Sequence, residues 1–404
     1  MDELSAVAHL LRRTSFGPGP GLCEQMTGAG YGSALDQVLD SPPLPRRHIP
    51  ETGTAVDAFA RWWLARMAQP GAGLHEKMTW YWHSHFTTSS EKVDHVALLA
   101  RQYGTLGRHA LGRFDRLVGE ITIDPAMLQY LDGDGSTGDA PNENYARELM
   151  ELFTLGRGSY SETDVREGAR ALTGWSVNEK HATAHFDESS AYDGDVSFLG
   201  ERGRLRAMDV ARIVCQQSQC APFVAAKIYR FLVGTEPDPG RRAELAVVFT
   251  SSGLDVRVLV STILRHPDFL TSTWSRPRFP VEWVTAAMAA MGLSDDHLRL
   301  EVCTAMGQVP YDPPNVAGWP PGVRWLGPGQ ALARAALAVQ STAIPDVAGA
   351  RDPVDAALRR CALFEVSSAT RGALTNLART VGADDQRAAL LLAAAITSPE
   401  FALA

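Results

Sequence analysis

The sequence predicts an all-α fold, a large multi-helix domain that carries a long Pro/Trp-rich loop and, at one place, a small β-hairpin. Apolar residues recur at spacings of three and four along most of the chain, as on the buried face of an α-helix. Alternation of apolar and polar residues, which indicates strands, is confined to one short region. The chain has 404 residues, of which 45% are hydrophobic and 21% charged, so it can bury a large core. We expect residues 1–404 to form a single domain.

Helical periodicity identifies the main elements in chain order. The segments that show it are 56–67, 74–87, 93–110, 142–155, 162–172, 207–215, 221–233, 241–250, 255–264, 289–291, 332–339 and 386–396. The segments 121–128, 263–270 and 396–403 resemble one another, because each ends a helix, offers a capping residue and then places proline where a new helix would begin. This is a common recipe for a turn between helices, and we favour that interpretation over an internal duplication.

Residues 176–203 interrupt the helical pattern. This stretch is polar and rich in Gly and Asp, as expected of an irregular excursion from the helical body. Within it, 185–187 and 196–199 alternate in the manner of strands and flank Asp193-Gly194, a dipeptide typical of tight hairpin turns. These two segments therefore predict the small hairpin.

Residues 309–330 form the second irregular stretch. Six prolines punctuate it and two tryptophans, Trp319 and Trp325, lie among them. So many prolines exclude a helix and favour a stiff, extended loop. Since a long loop in a compact domain is often functional, we predict that it borders the main cavity and exposes one tryptophan to it. The alternative is a rigid strap whose tryptophans only cover the core.

Composition disfavours several classes of protein. The formal net charge is −8 and no long run of Lys or Arg occurs, so we expect no nucleic-acid partner. No apolar run approaches the roughly 20 residues of a membrane span, and the first residues lack the basic and apolar regions of a signal peptide. The five cysteines show neither zinc-finger nor redox spacing, so we predict five reduced thiols. Together these features predict a soluble, cytoplasmic protein.

The first candidate site is the pair His83 and His85, which lies among aromatic residues. Neutral imidazoles are good metal ligands and general bases. On an ideal helix, however, residues two apart point to nearly opposite faces, so the two histidines do not easily share one metal ion. Histidines in such a setting are more often core or surface residues, and this alternative stays open.

The second candidate is the loop that begins at Asp132. Four oxygen-bearing side chains occupy the spacing of positions 1, 3, 5 and 12 of an EF-hand loop. They are Asp132, Asp134, Ser136 and Glu143. A Ca²⁺ ion at 132–143 is thus one option, although Thr137 stands where that loop requires glycine. The alternative is a Gly/Asp turn in which Asp139 caps the next helix.

The third candidate is the helix predicted at 142–155. Glu143, Arg147 and Glu151 follow one another at intervals of four, which is the pattern of an ion-pair ladder on a helix surface. Asn144, Glu148 and Glu151 also line one polar side, where carboxylates can converge on a metal ion or a proton. Both interpretations are compatible with the spacing.

Burial joins the first and third candidates. Carboxylates and imidazoles placed among aromatic residues without partners cost several kcal/mol, so they are expected to find one another. We therefore predict that His83 or His85 lies beside Glu148 or Glu151, as a polar site within an apolar helical body.

Several stretches of the sequence resemble a bacterial family called domain of unknown function 1800. The stretches are LLRRTSFG (10–17), WHSHF (82–86), ENYARELMELFTLG (143–156), ALTGW (171–175), GWP (318–320) and WL (325–326). The resemblance spans the chain from His9 to Phe401, and 143–156 is its most specific block. Members are often encoded beside an exported, sulfatase-like protein, which the resemblance implies as a partner, and many carry export signals. This sequence departs from them in its first residues and in the compact loop at 132–139, where relatives often carry insertions.

These observations predict an enzyme with a His/carboxylate site that acts on a small, partly apolar metabolite by hydrolysis or by a redox step. The catalytic candidates are His83, His85, Arg147, Glu148 and Glu151. The candidate ligands of a divalent metal ion are His83, His85, Asp132, Glu143, Glu148 and Glu151. The candidate substrate contacts are Asn142, Asn144, Trp319 and Trp325. The alternative is a non-catalytic helical partner or assembly protein for a sulfatase-like or other enzyme, with the same polar residues as a buried structural network.

Overall fold

The computed structural model describes residues 1–45, 50 and 55–404. Helices dominate this part of the chain, with only two small antiparallel sheets, so the all-α prediction is confirmed. The helices up to the first sheet are α1 (Glu3–Thr14), α2 (Leu22–Thr27), α3 (Gly30–Asp40), α4 (Val56–Met67), α5 (Leu74–His85), α6 (Val96–Arg108), α7 (Phe114–Thr122), α8 (Pro125–Tyr130), α9 (Glu143–Glu148) and α10 (Glu162–Ala171). A π-helical segment, Leu149–Thr154, continues α9.

The second half of the chain is also built from short helices. They are α11 (Ala207–Gln216), α12 (Cys220–Val233), α13 (Pro239–Ser251), α14 (Val256–Arg265), α15 (Pro267–Thr271), α16 (Pro280–Met291), α17 (Asp296–Met306), α18 (Pro328–Ala338), α19 (Pro345–Ala348), α20 (Pro353–Arg360), α21 (Ser368–Thr380), α22 (Asp384–Ile396) and α23 (Pro399–Ala402). Two single turns of 3₁₀-helix, Glu179–His181 and Val323–Leu326, lie in the irregular stretches.

The three similar segments form the predicted turns between helices. In each, a side chain caps the new helix by accepting a backbone N–H, and proline occupies the first helical position. The hydrogen bonds run from Met127 N to Asp124 Oδ1 (3.1 Å), from Asp268 N to His266 Nδ1 (3.1 Å) and from Phe401 N to Ser398 Oγ (3.3 Å). The same chemistry therefore starts α8, α15 and α23.

The irregular stretch contains two hairpins, and the predicted pairing of 185–187 with 196–199 is wrong. Strand β1 (Trp175–Asn178) pairs with β2 (Thr183–Phe186), and β3 (Val196–Phe198) pairs with β4 (Glu201–Gly203). Each strand pairs across the shorter loop, which costs less chain entropy than the longer connection between β2 and β3. Leu199 and Gly200 both have positive φ (47° and 89°), as a tight primed turn requires.

Helix α5 lies between two hydrophobic clusters. The first cluster is built mainly from α1, α3, α7 and α9–α14, and the second from α4, α6 and α16–α22. Met78 and Trp82 of α5 are buried in the first cluster, whereas Trp80 is buried in the second. Because both faces of α5 are covered, polar residues on this helix must find partners inside the protein.

The five cysteines are divided between the same two clusters. Cys23, Cys215 and Cys220 belong to the first, and Cys303 and Cys361 to the second. All five are buried and carry free thiols. In the described chain, no helix combines the length and the apolar content of a membrane span.

Candidate functional site

His83 and His85 point to opposite sides of α5, as their spacing predicts. His83 lies among the rings of the second cluster, 4.3 Å from Tyr311 and 5.4 Å from Trp319 between ring centroids. Its Nε2 accepts the backbone N–H of Tyr311 at 3.1 Å, so Nδ1 carries the ring hydrogen. Burial lowers the pKa of His83 to about 3, which keeps the ring neutral. His83 therefore anchors the 309–330 loop to α5.

His85 faces the first cluster and contacts the π segment. Its Nε2 lies 2.9 Å from the carbonyl oxygen of Phe153, which can only accept, so Nε2 carries the hydrogen and donates it. Burial lowers the pKa of His85 well below its ordinary value, and the positive charge of Lys227 lowers it further. Nδ1 of this neutral ring has no hydrogen-bond partner among the described residues, so its lone pair is unused.

The π segment sets the position of two carbonyl groups. Leu155 N donates to Met150 O at 2.8 Å, a bond across five residues, and the segment ends before Gly156, whose φ is +81°. The carbonyl oxygens of Leu152 and Phe153 lie in this last turn and accept from side chains instead of from a following helical turn. Leu152 O accepts from Lys227 Nζ at 3.0 Å. Thus one widened turn orients both His85 and Lys227.

His85, Leu152 and Lys227 line a cleft of about 560 Å³ between α5, α12 and the 309–330 loop. Aromatic side chains and prolines form much of its wall: Trp80, Tyr81, Phe223, Phe231, Phe279, Trp319, Pro320 and Pro321. The prediction that the 309–330 loop borders a cavity and presents a tryptophan to it is confirmed for Trp319. A larger groove of about 810 Å³, lined by Met208 and Arg212 among others, lies elsewhere and does not involve this loop.

Cationic groups outnumber carboxylates in the cleft wall. The charged lining residues are Arg157, Lys227, Arg230, Arg242 and Arg276 with Glu151 and Glu236. Arg230 and Arg242 share Glu236, at 2.6 and 3.5 Å between nitrogen and oxygen. Lys227 forms no ion pair with a carboxylate in the part of the chain that the structure describes. Because Arg157 pairs with Glu151 and Arg276 with Glu282, the excess of positive charge in this apolar cleft lies at Arg230, Arg242 and Lys227.

The predicted carboxylates reach the cleft only in part. Glu151 lines it and accepts from Arg157 Nε (2.6 Å) and Tyr160 Oη (2.7 Å), and these bonds lower its pKa. Glu148 is half-buried, and burial together with the charge of Glu151 raises its pKa. His85 and Glu151 thus share one cleft, but no hydrogen bond joins either predicted histidine to either carboxylate. Instead, both imidazoles bond to backbone groups.

Arg147 and Glu143 belong to a surface ion-pair ladder. Arg147 donates to both carboxylate oxygens of Glu162 at 2.8 and 2.9 Å and lies 3.5 Å from Glu143. The bond to Glu162 raises the pKa of Arg147. These residues face solvent and not the cleft, so the ladder interpretation describes them better than a catalytic one.

The oxygen-bearing side chains of the 132–143 loop form an ion pair and hydrogen bonds within the protein. Asp132 pairs with Lys92 at 2.6 Å, and Asp134 accepts the backbone N–H of Val177 at 2.8 Å. Ser136 Oγ accepts the backbone N–H of Asn142 at 3.0 Å. The loop is thus tied to β1 and to the start of α9 by the groups that an EF-hand would offer to Ca²⁺. A polar hollow of about 300 Å³ beside it contains Asp132, Asp134, Ser136 and Asn142.

Asn142, and not Asp139, caps α9. The side chain of Asn142 accepts the backbone N–H of Asn144 at 2.8 Å, which satisfies an N–H that the first turn leaves unpaired. Asn144 itself lies 3.4 Å from the carbonyl oxygen of Leu131 through its side-chain nitrogen. Neither amide lines the cleft, so the structure gives both a role in closing the loop onto the helix.

The two tryptophans of the 309–330 loop differ in their surroundings. Trp319 stacks on Trp80 at 5.0 Å between ring centroids, and its Nε1 has no partner among the described residues. Trp325 is buried and donates from Nε1 to the carbonyl oxygen of Pro320 at 2.9 Å. Of these two loop tryptophans, Trp319 lines the cleft and Trp325 does not.

The candidate metal ligands do not come together as one set. His83, His85, Asp132, Glu143, Glu148 and Glu151 are distributed over the second cluster, the cleft, the 132–143 loop and the surface ladder. In the described ranges, no group of three or more His, Cys, Asp and Glu side chains has the arrangement of a metal site.

Comparison with known proteins agrees with the motifs found in the sequence. The family model described as "Protein of unknown function (DUF1800)" matches residues 9–403. The chain belongs to the DUF1800 family. No curated protein and no solved structure matches it. In this DUF1800 protein, the most specific motif block, 143–156, forms α9, the π segment and the αL glycine that ends it.

Sequence reasoning missed Lys227, a basic residue that lines the cleft. A signal was present, because only four of the 38 basic residues of this DUF1800 chain are lysines and one of them interrupts the apolar helix α12. Removing an isolated lysine between Ala226 and Ile228 from water costs free energy unless its amine has a functional role or a hydrogen-bonding partner. The spacing of His and Glu drew attention to the neighbouring helices instead.

Proposed function

We propose that this protein is an enzyme that binds a small, partly aromatic substrate with an acidic group in the cleft between α5, α12 and the 309–330 loop. The observation that carries the proposal is the combination of an aromatic wall with two arginines, Arg230 and Arg242, that share one carboxylate. Concave sites of this size, mostly apolar and with a few convergent polar groups, are typical of small-molecule binding.

The aromatic and the cationic residues of the cleft have separate roles in this proposal. The rings of Phe223, Phe231 and Trp319 contact the apolar part of the substrate and exclude water from it. Arg230 and Arg242 attract its acidic group, since these two cations share a single carboxylate, Glu236. His85 Nδ1, a neutral and unpaired acceptor, is a candidate to accept a hydrogen bond from the bound molecule.

Calorimetric titration of the purified protein with 2-naphthoate and with 2-naphthamide tests this function. The two probes share their rings and differ in charge, so we expect the carboxylate to bind more tightly. Arg242→Gln should weaken naphthoate binding about tenfold, or about 1.4 kcal/mol, with little effect on the amide. Arg212→Gln, which removes a paired arginine from the other groove, is the matched control and should change neither affinity.

Equal affinity for the two probes would contradict the acidic-group preference, and no binding of either would contradict the whole proposal. In that second case the non-catalytic partner role would be the better explanation of the chain. If the carboxylate binds, turnover is sought by incubating the protein with aromatic acids that bind and measuring their mass change.

A further inference from the structure

Lys227, which is partly buried, differs from the fully buried Lys77 in whether a carboxylate lies beside its amine. Lys77 Nζ lies 2.6 Å from Glu282 and donates to Ser15 O at 2.6 Å, so its ammonium group is neutralised by a carboxylate. Lys227 Nζ donates to the carbonyl oxygen of Leu152 at 3.0 Å and, within the described residues, has no carboxylate within ion-pair distance. Only one of these two lysines is thus held in its charged form by a partner.

The surroundings of Lys227 favour a neutral amine. Its Nζ lies 5.3 Å from the ring centroid of Phe223, and burial lowers its pKa to about 7, with a further lowering by the charge of Arg230. The other charged or titratable groups of the same cleft are Tyr81 and His85 on α5, Glu151 and Arg157 after α9, Glu236 and Arg242 near α13, and Arg276 before α16. Near neutral pH, a substantial share of the Lys227 side chains therefore carries a free lone pair.

Hydrogen bonding leaves that lone pair accessible. Leu152 O accepts one N–H of the amine, so the lone pair and the second N–H remain for a bound molecule. The π segment places Leu152 O at the edge of the cleft, because it lies in the last widened turn before Gly156. An arginine at this position could not act in the same way, since its guanidinium stays protonated.

We propose that Lys227 condenses with an aldehyde or ketone group of an aromatic or otherwise apolar acid and holds it as an imine. This inference rests on the proposed function, since the acidic group and the ring would hold the carbonyl beside the amine. The Nζ lone pair attacks the carbonyl carbon and forms a C–N bond; the oxygen gains two protons, from Nζ and from solvent, and leaves as water. Nζ loses its second proton to solvent, so the overall step is amine plus carbonyl to imine plus water.

Reductive trapping of the wild-type protein tests the inference. The protein is incubated at pH 7 with 4-formylbenzoate and sodium cyanoborohydride, which reduces an imine to a stable secondary amine. The labelled lysine is identified by peptide mass spectrometry among the four of the chain. We expect adduct formation at Lys227 at least ten times faster than at the exposed Lys180 and the ion-paired Lys92. Lys77, paired with Glu282, is the matched buried control and should remain unlabelled.

Two further measurements make the result decisive. An excess of 4-(hydroxymethyl)benzoate, which has the same ring and acid without a carbonyl, should protect Lys227 from labelling. Lys227→Arg should abolish the adduct and retain binding of this alcohol; if that variant does not fold, the wild-type peptide map alone decides. Labelling of Lys180 and Lys92 at the rate of Lys227 or faster, with 2-naphthoate still bound, would overturn the imine and leave the proposed function standing. Loss of naphthoate binding as well would overturn both.

Discussion

Glu282 illustrates how a buried carboxylate holds several cations in place. It lies 2.6 Å from Lys77 Nζ, accepts from both terminal nitrogens of Arg276 at 3.0 and 3.1 Å, and accepts the backbone N–H of Phe279 at 3.0 Å. Burial alone would raise the pKa of Glu282, but the charges of Arg276 and Lys77 lower it to about 2. The carboxylate is thus ionised at all moderate pH values, and the packing around α16 depends on it.

Glu282→Gln should lower the free energy of unfolding by about 3–5 kcal/mol, because it leaves two buried cations without their counter-charge. Chemical denaturation at pH 7 measures this change. Glu301→Gln, at an exposed position of α17, is the control and should stay within about 0.5 kcal/mol of wild type. A Glu282→Gln variant as stable as that control would show that the cations are satisfied in another way.

The buried carboxyl group of Asp124 should make the stability of the protein depend on pH in the physiological range. Its carboxylate caps α8 and accepts from Gln102 Nε2 at 3.2 Å, yet burial raises its pKa to about 7. A raised pKa means that its contribution to stability is complete below the ordinary value of 3.8 and is lost as the pH rises through 7. Asp124→Asn keeps a capping oxygen without the charge.

We therefore expect the stability of Asp124→Asn relative to wild type to increase between pH 5 and pH 8.5, as urea denaturation at the two pH values would measure. Ser398→Asn, which changes the equivalent cap of α23 without removing a charge, controls for the cap itself. A pH-independent difference at Asp124 would contradict the raised pKa.

Among the elements, the 309–330 loop depends on one close approach to α5. Gly318 has a φ of +78°, and a Cβ at this position would overlap the backbone carbonyl oxygen of Ser84. Gly322 of the same loop also has a positive φ, +97°, but a Cβ there would meet open space. Substitutions at the two glycines therefore distinguish the cost of backbone strain from the cost of contact with α5.

Gly318→Ala should destabilise the protein clearly more than Gly322→Ala. Backbone strain at a positive φ costs about 1–3 kcal/mol at either position, and only Gly318 adds the overlap with Ser84. Thermal unfolding of both variants measures the difference. Equal losses would mean that the loop can move away from α5 without cost.

Helical elements were predictable where their residues repeat regularly, and the site was predictable only in part. The span of α4 and the cap-and-proline turns follow from local chemistry, so Asp124 and Ser398 act as expected. The π turn cannot be distinguished from an α-helix by apolar spacing, because one additional residue in a single turn hardly changes the pattern. Lys227 was missed for a related reason, since its importance depends on the distant Leu152 carbonyl and on having no carboxylate within ion-pair distance among the described residues.

At the scale of the whole molecule, α5 connects the two hydrophobic clusters. Each cluster contains cysteines, so thiol reactivity can show when either cluster opens. Cys23, Cys215 and Cys220 lie in the first cluster, and Cys303 and Cys361 in the second. Because Trp80 and Trp82 of α5 are buried on opposite sides, opening one cluster should expose part of the other. The two groups of thiols are therefore expected to become reactive together.

Thiol labelling across a urea series, read by peptide mass spectrometry, should give one midpoint for all five cysteines. Full denaturation without reductant should yield five free thiols. Two separate midpoints, one for each cluster, would show that α5 does not couple them. Labelling in the absence of denaturant would contradict the burial of the thiols.

The stacking of Trp319 on Trp80 also gives the cleft an optical signal of its own. Two indoles 5.0 Å apart and inclined by 26° couple electronically, so this pair should contribute a distinct band to the near-ultraviolet circular dichroism spectrum. A molecule that enters the cleft contacts Trp319 and alters that coupling, whereas one that binds in the groove near Arg212 does not. Occupancy of the cleft can thus be followed by absorbed light alone, without a label and before any reaction product is known.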